Sequence, residues 1–348
     1  MNINKNVDSL SYPEYANAKK CNARIDLSLS ENSLISDRVQ KILPERTEVN
    51  KYKLTQDPVL IKKLAERLGA QKENILITAG CDGALHHIAE TFINEGARIL
   101  IPCPSFGRYE FHTKVMGGKP IFVNFSEYPF EFEISKIITA TQKKKAKLLF
   151  LANPNNPTGC YIEKEEINRL ASKLKETMIV IDETLIDYLA SINSCSDLVN
   201  SYNNLIVTRS FSKFYGLAGM RIGYMISNKD IIDSISKTVS PFETSYLSIK
   251  TAIEVLDDYK YIKRSKRLVL DGLEFLKNNC KLRLSRSKSS VILIYDENQR
   301  NLHSYLLRKG ILTVNGNSFR GLEKANCVRI CVKEIEQLRE LVDMLNRK

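Results

Sequence analysis

Between about residue 57 and residue 226 the chain repeats one unit, a short apolar run followed by a helix-patterned segment. The runs are Ile75–Thr78, Arg98–Ile101, Pro120–Val123, Leu148–Leu151, Met178–Ile181, Leu205–Thr208 and Ile222–Ile226. They read as strands, and the stretches between them as helices. Asp57-Pro58 opens one such helix, Val59–Leu68, which Gly69 closes. Another, Ala84–Ile93, follows Gly80-Cys81-Asp82-Gly83. Strands that alternate with helices argue for an α/β fold with a mostly parallel, doubly wound sheet. Right-handed crossovers then place helices on both faces.

Further along, the rhythm changes. Ile249–Lys277 reads as one long helix. A strand at Val291–Ile294, a helix near Asn301–Lys309, a strand at Cys327–Val332 and a last helix from Glu334 complete a smaller α+β domain. The N-terminal stretch is weakly patterned and is expected to pack on that domain or on a partner subunit. A chain of 348 residues suits one large domain plus a smaller one. The expected division is an arm at 1–45, a large domain at 46–245 and a small C-terminal domain at 246–348.

Composition narrows the function classes. No apolar run is long enough to span a membrane, and Met1–Leu10 is polar, without the apolar stretch of a secretory signal. A cytoplasmic location is the expectation. Eight cysteines (Cys21, Cys81, Cys103, Cys160, Cys195, Cys280, Cys327 and Cys331) form no CxxC pair and share no metal-ligand spacing with the four histidines. They read as reduced thiols, mostly in the core or bystanders, and no metal site is expected. A net charge of +12 fits a Lys-rich solvated surface first, attraction of anionic small molecules second, and nucleic acid last. Lys143-Lys144-Lys145-Ala146-Lys147 reads as a loop and strand edge.

In an open α/β sheet, ligands sit beyond the carboxyl ends of the strands. Four such ends carry chemistry here. Gly80-Cys81-Asp82-Gly83 starts a helix, where backbone N–H groups attract phosphate, although such junctions are common without a ligand. Asn153-Pro154-Asn155-Asn156-Pro157-Thr158-Gly159 fixes the backbone sharply and offers amides to a ligand, or is a plain turn. Asp182-Glu183 puts acid at the end of an apolar strand, where a cationic ligand atom or a helix start would use it. Thr208-Arg209-Ser210-Phe211-Ser212-Lys213, with Arg221 further on, joins hydroxyls and a guanidinium suited to phosphate with a candidate nucleophile. The glycines here do not spell a dinucleotide fingerprint, and that fold is rejected.

Taken together, and from about Tyr12 to the C-terminal helix, these elements resemble the fold-type I pyridoxal-phosphate aminotransferases of class I/II, in the branch of histidinol-phosphate aminotransferase and threonine-phosphate decarboxylase. The resemblance implies pyridoxal 5'-phosphate (PLP) as cofactor. Lys213 would carry it as a Schiff base and shuttle the proton, and Asp182 would pair with the pyridine nitrogen. Asn156 would bond the phenolic oxygen and Phe106 would stack on the ring. The phosphate would meet the backbone of Cys81 and Asp82, the hydroxyls of Ser210 and Ser212, and Arg221. Tyr52 would reach the phosphate of the neighbouring subunit in a homodimer. Arg329 would fork onto the substrate carboxylate, and Arg320 is a candidate for a substrate phosphate or a solvated loop charge.

Three positions depart from the family pattern. Leu185 stands where its aminotransferases carry a Tyr three residues after the Asp. Gly83 replaces an acid common after the GxD element. Leu312-Thr313-Val314-Asn315 lacks the arginine that histidinol-phosphate aminotransferases use for the substrate phosphate, whereas Asn317–Leu322 looks more like the decarboxylase branch. The expected activity is transamination between an amino acid and a small, anionic oxo substrate, with a phosphorylated one as a candidate. The alternative is decarboxylation of a phosphorylated amino acid. A non-catalytic PLP sensor is disfavoured, because no residues are spare for a DNA-binding domain. The expected partners are small molecules and a second copy of the chain, with no nucleic acid and no membrane.

Overall fold

The computed structural model describes residues 5–8, 10, 23–43, 50–125, 127–191, 193–297 and 301–346. Cys21 and Tyr12 lie outside the described residues. The strands are β1 (Ile25–Asp26), β2 (Ile75–Thr78), β3 (Arg98–Cys103), β4 (Lys119–Asn124), β5 (Leu148–Ala152), β6 (Met178–Asp182), β7 (Leu205–Ser210), β8 (Gly223–Ile226), β9 (Arg283–Leu284), β10 (Val291–Tyr295), β11 (Ile311–Leu312), β12 (Val314–Asn315) and β13 (Cys327–Cys331).

Seven strands form the main sheet in the order β2-β8-β7-β6-β5-β3-β4. Only β8 runs against its neighbours; the other pairings are parallel. β5, β6 and β7 are nearly solvent-free along their length and begin as apolar runs, as a central strand covered on both faces must. Two apolar clusters, one on each face, supply that cover. Helix Pro58–Leu68 begins as the sequence reads, with the Asp57 carboxylate accepting from the N–H groups of Val59 and Leu60, and Gly69 ends it in the left-handed region.

A second sheet, β12-β13-β10-β9, is antiparallel, and β1 pairs in parallel with β11 beside it. The N-terminal segment thus adds a strand to the C-terminal part of the chain. Several readings are corrected. The stretch expected as one helix is two, Tyr246–Leu256 and Tyr259–Asn279, because the Asp258 carboxylate caps a new helix at Tyr261 N–H. The helix after β2 starts at Gly80 rather than Ala84. The lysine run ends helix Ile134–Lys144 with Lys145 in the left-handed region, so cations sit at a helix C-terminus, where the dipole favours them. The two-residue strands β1, β9, β11 and β12 are too short to leave a sequence period.

Among the described residues no helix is long and apolar enough to cross a membrane, and no cluster of His, Cys, Asp or Glu could hold a metal. Seven cysteines are free thiols, all buried except Cys280.

Candidate active site

A cavity of about 590 Å³ opens beyond the carboxyl ends of β2, β5, β6 and β7. Cys81, Asp82, Phe106, Asn156, Asp182, Ser210, Ser212, Lys213, Arg221, Arg320 and Arg329 all line it. Among the residues expected at the site, Tyr52 stands apart. It is 87% exposed, its ring lies 4.8 Å from that of Phe242, and it lines a different surface pocket.

The start of helix Gly80–Phe92 forms one end. Gly80 has φ +80°, and a side chain there would meet the Arg221 guanidinium at 3.0 Å. Glycine therefore lets Arg221 lie over the first turn. An Arg221 N–H donates to Ser212 Oγ (3.4 Å) and to Ala218 O (3.1 Å), while Ser212 N–H donates to Ser210 Oγ (3.0 Å). The Asp82 side chain faces helix Arg108–Val115. It accepts from Arg108 Nε at 2.7 Å and lies 2.9 Å from His112 Nε2. Burial opposes its charge, but His112 and Arg108 outweigh burial and hold its carboxyl well below the usual range.

The Asn-rich turn divides its labour. Asn153 is bonded both ways to Ile162, at 2.8 Å each. Asn155 donates to Pro104 O (3.2 Å) and accepts from Thr158. Both serve the turn. Asn156 Oδ1 is buried without a partner on the cavity wall, as is Thr184 Oγ1. Orphaned buried oxygens of this kind are costly unless a ligand meets them.

Asp182, 6% exposed at the end of β6, accepts from the Tyr109 hydroxyl (2.7 Å), Thr184 N–H (3.0 Å) and the Cys81 thiol (3.5 Å). Burial raises the Tyr109 and Cys81 pKa values well above their usual ones, so both donors stay neutral. Tyr109 is fully buried, stacked on Phe150 at 5.2 Å and edge-on to Phe106 at 5.8 Å.

Lys213 is partly exposed, and burial lowers its pKa from 10.5 to about 8. Arg329 enters from the middle of β13. It donates to Ser30 Oγ (2.7 Å) and Ser28 O, its Nε is buried without a partner, and burial lowers its pKa to about 10. Arg320 is held by Glu110 through two 2.8 Å bonds and lies 4.2 Å over the Phe122 ring, and Lys114 joins Glu110 at 2.7 Å.

Sequence reading missed Arg108, Tyr109, Glu110 and Lys114. They sit on one helix just past β3, a strand end that carried no motif beyond Phe106. The polar cluster Arg108-Tyr109-Glu110 at a helix start was the available signal.

The chain matches the family model for aminotransferase class I and II over residues 25–345. It is similar to a histidinol-phosphate aminotransferase from Caldicellulosiruptor saccharolyticus, 33% identical over 85% of this chain and 84% of the relative. A histidinol-phosphate aminotransferase from Methanocaldococcus jannaschii is 30% identical over 88% of this chain and 83% of that one. Among solved structures, histidinol-phosphate aminotransferase from Sinorhizobium meliloti in complex with pyridoxal-5'-phosphate superposes with a TM-score of 0.88 at 23% identity, covering 99% of this chain and 96% of the other. L-Threonine-O-3-phosphate decarboxylase from Porphyromonas gingivalis gives 0.78 at 25%, covering 92% and 98%. The chain belongs to the class I and II aminotransferases, has the fold-type I architecture, and is an enzyme of amino-group transfer. Membership implies pyridoxal phosphate. The site fits it: an acid with only neutral partners, an asparagine amide on the cavity wall, a lysine of lowered pKa and an arginine over a helix start.

Proposed function

We propose that this cavity holds PLP and exchanges an amino group between an amino acid and a small phosphorylated oxo compound, the substrate class that the names of its relatives carry. The observation behind this reading is the convergence of every expected site residue but Tyr52 on one cavity. Bound PLP supplies an electron sink for the carbanion that forms beside the substrate amine. Lys213 Nζ would carry the cofactor and take the proton from the amino-bearing carbon. Asp182 would hold a proton on the pyridine nitrogen, Asn156 would meet the phenolic oxygen, and Phe106 would cover the ring face. Ser210, Ser212, Arg221 and the N–H groups of Cys81 and Asp82 would take the cofactor phosphate. Arg329 would grip the carboxylate of the amino donor. Arg320 would take the substrate phosphate only by leaving Glu110.

The organisation we propose is an arm at 1–45, a large domain at 46–245 and a small domain at 246–348, paired as a cytoplasmic homodimer. The exposed Tyr52–Phe242 pair supports the dimer, since among the described residues nothing covers its apolar surface. One observation favours the decarboxylase instead. Leu185 is buried on the cavity wall and offers no hydroxyl at the position three residues after Asp182.

Mass spectrometry of products from PLP-loaded enzyme tests the choice, with glutamate, histidinol phosphate, phosphoserine and phosphothreonine as the panel. An oxo product together with pyridoxamine phosphate supports transfer. An amine lighter by one carbon dioxide, with the cofactor unchanged, establishes the decarboxylase.

A further inference from the structure

Helix Gly80–Phe92 begins without a side-chain cap. Its N-cap residue is Ala79, which has no oxygen to offer the N–H groups of Cys81 and Asp82. In a capping box, an acidic or amide side chain three residues into the helix folds back onto the N-cap N–H. Asp82 holds that third position but does not fold back, because Arg108 and His112 take its carboxylate. Glu243 does so instead, from 164 residues away: its Oε1 accepts from Ala79 N–H at 3.0 Å. Glu243 Oε2 lies 3.1 Å from His87 Nε2, and Thr238 Oγ1 lies 3.1 Å from the other ring nitrogen. A Cβ on Gly83 would stand 3.1 Å from Glu243 Oε1, so glycine leaves the room the carboxylate uses. Burial opposes charge on Glu243, yet His87 and the Ala79 N–H hold its pKa below the ordinary value. The surrounding segment is itself fixed, with Thr55 N–H donating to Pro241 O (2.7 Å) and Thr244 N–H donating to Thr55 Oγ1 (3.1 Å).

We propose that Glu243 is a positioning residue: it closes a capping box from outside the helix and so holds the Ala79–Gly83 turn in the form that takes the cofactor phosphate. The role rests on the reading of the cavity as a PLP site. The division of N–H groups carries it. Glu243 ties off the N-cap N–H, which points away from helical use, and the uncapped N–H groups of Cys81 and Asp82 are left for an anion. An ordinary Ser or Asp at position 79 would compete for those same groups.

The test compares PLP with pyridoxal, which lacks the phosphate. Cofactor-free wild type and the variants Glu243→Ala, Glu243→Gln and Gly83→Ala are titrated with each, following the visible absorbance of the bound cofactor. Glu243→Ala should weaken PLP about tenfold and leave pyridoxal unchanged, whereas Glu243→Gln, which keeps an oxygen for Ala79 N–H, should stay within about threefold of wild type. Gly83→Ala, whose Cβ crowds the carboxylate, should fall between the two for PLP alone. Equal losses for PLP and pyridoxal mean general damage and overturn the role, as does an unchanged PLP affinity. If Glu243→Ala does not fold, a Gly83→Ala protein that binds PLP as wild type does overturns it. If wild type itself takes up no PLP, the reading of the cavity falls, and the positioning role with it.

Discussion

Asp182 and Glu183 are neighbours at the end of β6, both buried, and they meet opposite surroundings. Glu183 faces away from the cavity. It accepts from Ser194 Oγ (2.6 Å), Cys195 N–H (2.7 Å) and Arg209 (3.1 Å), and Arg209 also donates to Asp187 (2.8 Å). Burial pushes the Glu183 carboxyl up, while Arg209 and the two donors pull it back. Asp182 faces the cavity, and its partners are a phenol, a thiol and an amide. An acid with a cation beside it is closed on itself. An acid given only neutral donors keeps its charge available to a cation that arrives from outside. On one strand end, then, one carboxylate serves the fold and its neighbour is kept for chemistry.

The widest separation between the two comes from removing each acid. Asp182→Ala should cut turnover by about a thousandfold, and the cofactor-free protein should keep a near-wild-type unfolding temperature, because no buried cation loses its partner. Glu183→Ala should do the reverse. It leaves Arg209 in a dry site with one of its two carboxylates, at a cost of about 3–5 kcal/mol in chemical denaturation. A destabilised Asp182→Ala protein, or a Glu183→Ala protein as stable as wild type, would erase the distinction.

Lys213 sharpens it from the other side of the cavity. It too lines the cavity, partly exposed, and desolvation lowers its pKa from 10.5 to about 8. Only the free amine attacks an aldehyde, so labelling of Lys213 by PLP, fixed by borohydride, should speed up as pH rises and level off above about 8. At that pH the rate should exceed that of a solvated lysine by about a hundredfold. The same lowered pKa has a stability consequence. Between about pH 8 and 10.5 the unfolded chain binds the extra proton, so the cofactor-free fold gains stability through that window. Lys213→Met should flatten the gain. A labelling rate that keeps rising to pH 10 means an ordinary lysine.

Much of this was legible in the sequence. The strand ends announced themselves because chemistry there is local: Asp182, Lys213 and Asn156 each sit within a few residues of the apolar run that places them. Even so, the Asn-rich turn did not say which Asn faces the ligand. That depends on Ile162 and Pro104 taking up the other two, which are contacts between loops. Glu183 stands beside Asp182 in sequence, yet its alternation to the opposite face of the sheet sends it to Arg209. Tyr109 and Glu243 were invisible for the same reason. Each meets its target across a long stretch of chain, and no spacing records a hydrogen bond between residues 73 or 164 positions apart.

Tyr109→Phe is the smallest change and the finest probe of the comparison. The ring stays stacked on Phe150 and only the hydroxyl is lost, so packing is preserved. Asp182 keeps the Thr184 N–H and the Cys81 thiol but loses its shortest donor. The ring nitrogen would then face a carboxylate that has lost part of its hydrogen-bond support. The expected result is a drop of about tenfold in kcat, with a shifted pH midpoint in the visible absorbance of the loaded enzyme and an unchanged thermal midpoint. The spectral shift separates this from packing, because a purely structural tyrosine would move stability and leave the chromophore alone. If both the spectrum and kcat stay at wild-type values, Asp182 is held by its backbone and thiol partners, and the neutral phenol is no part of what keeps it available.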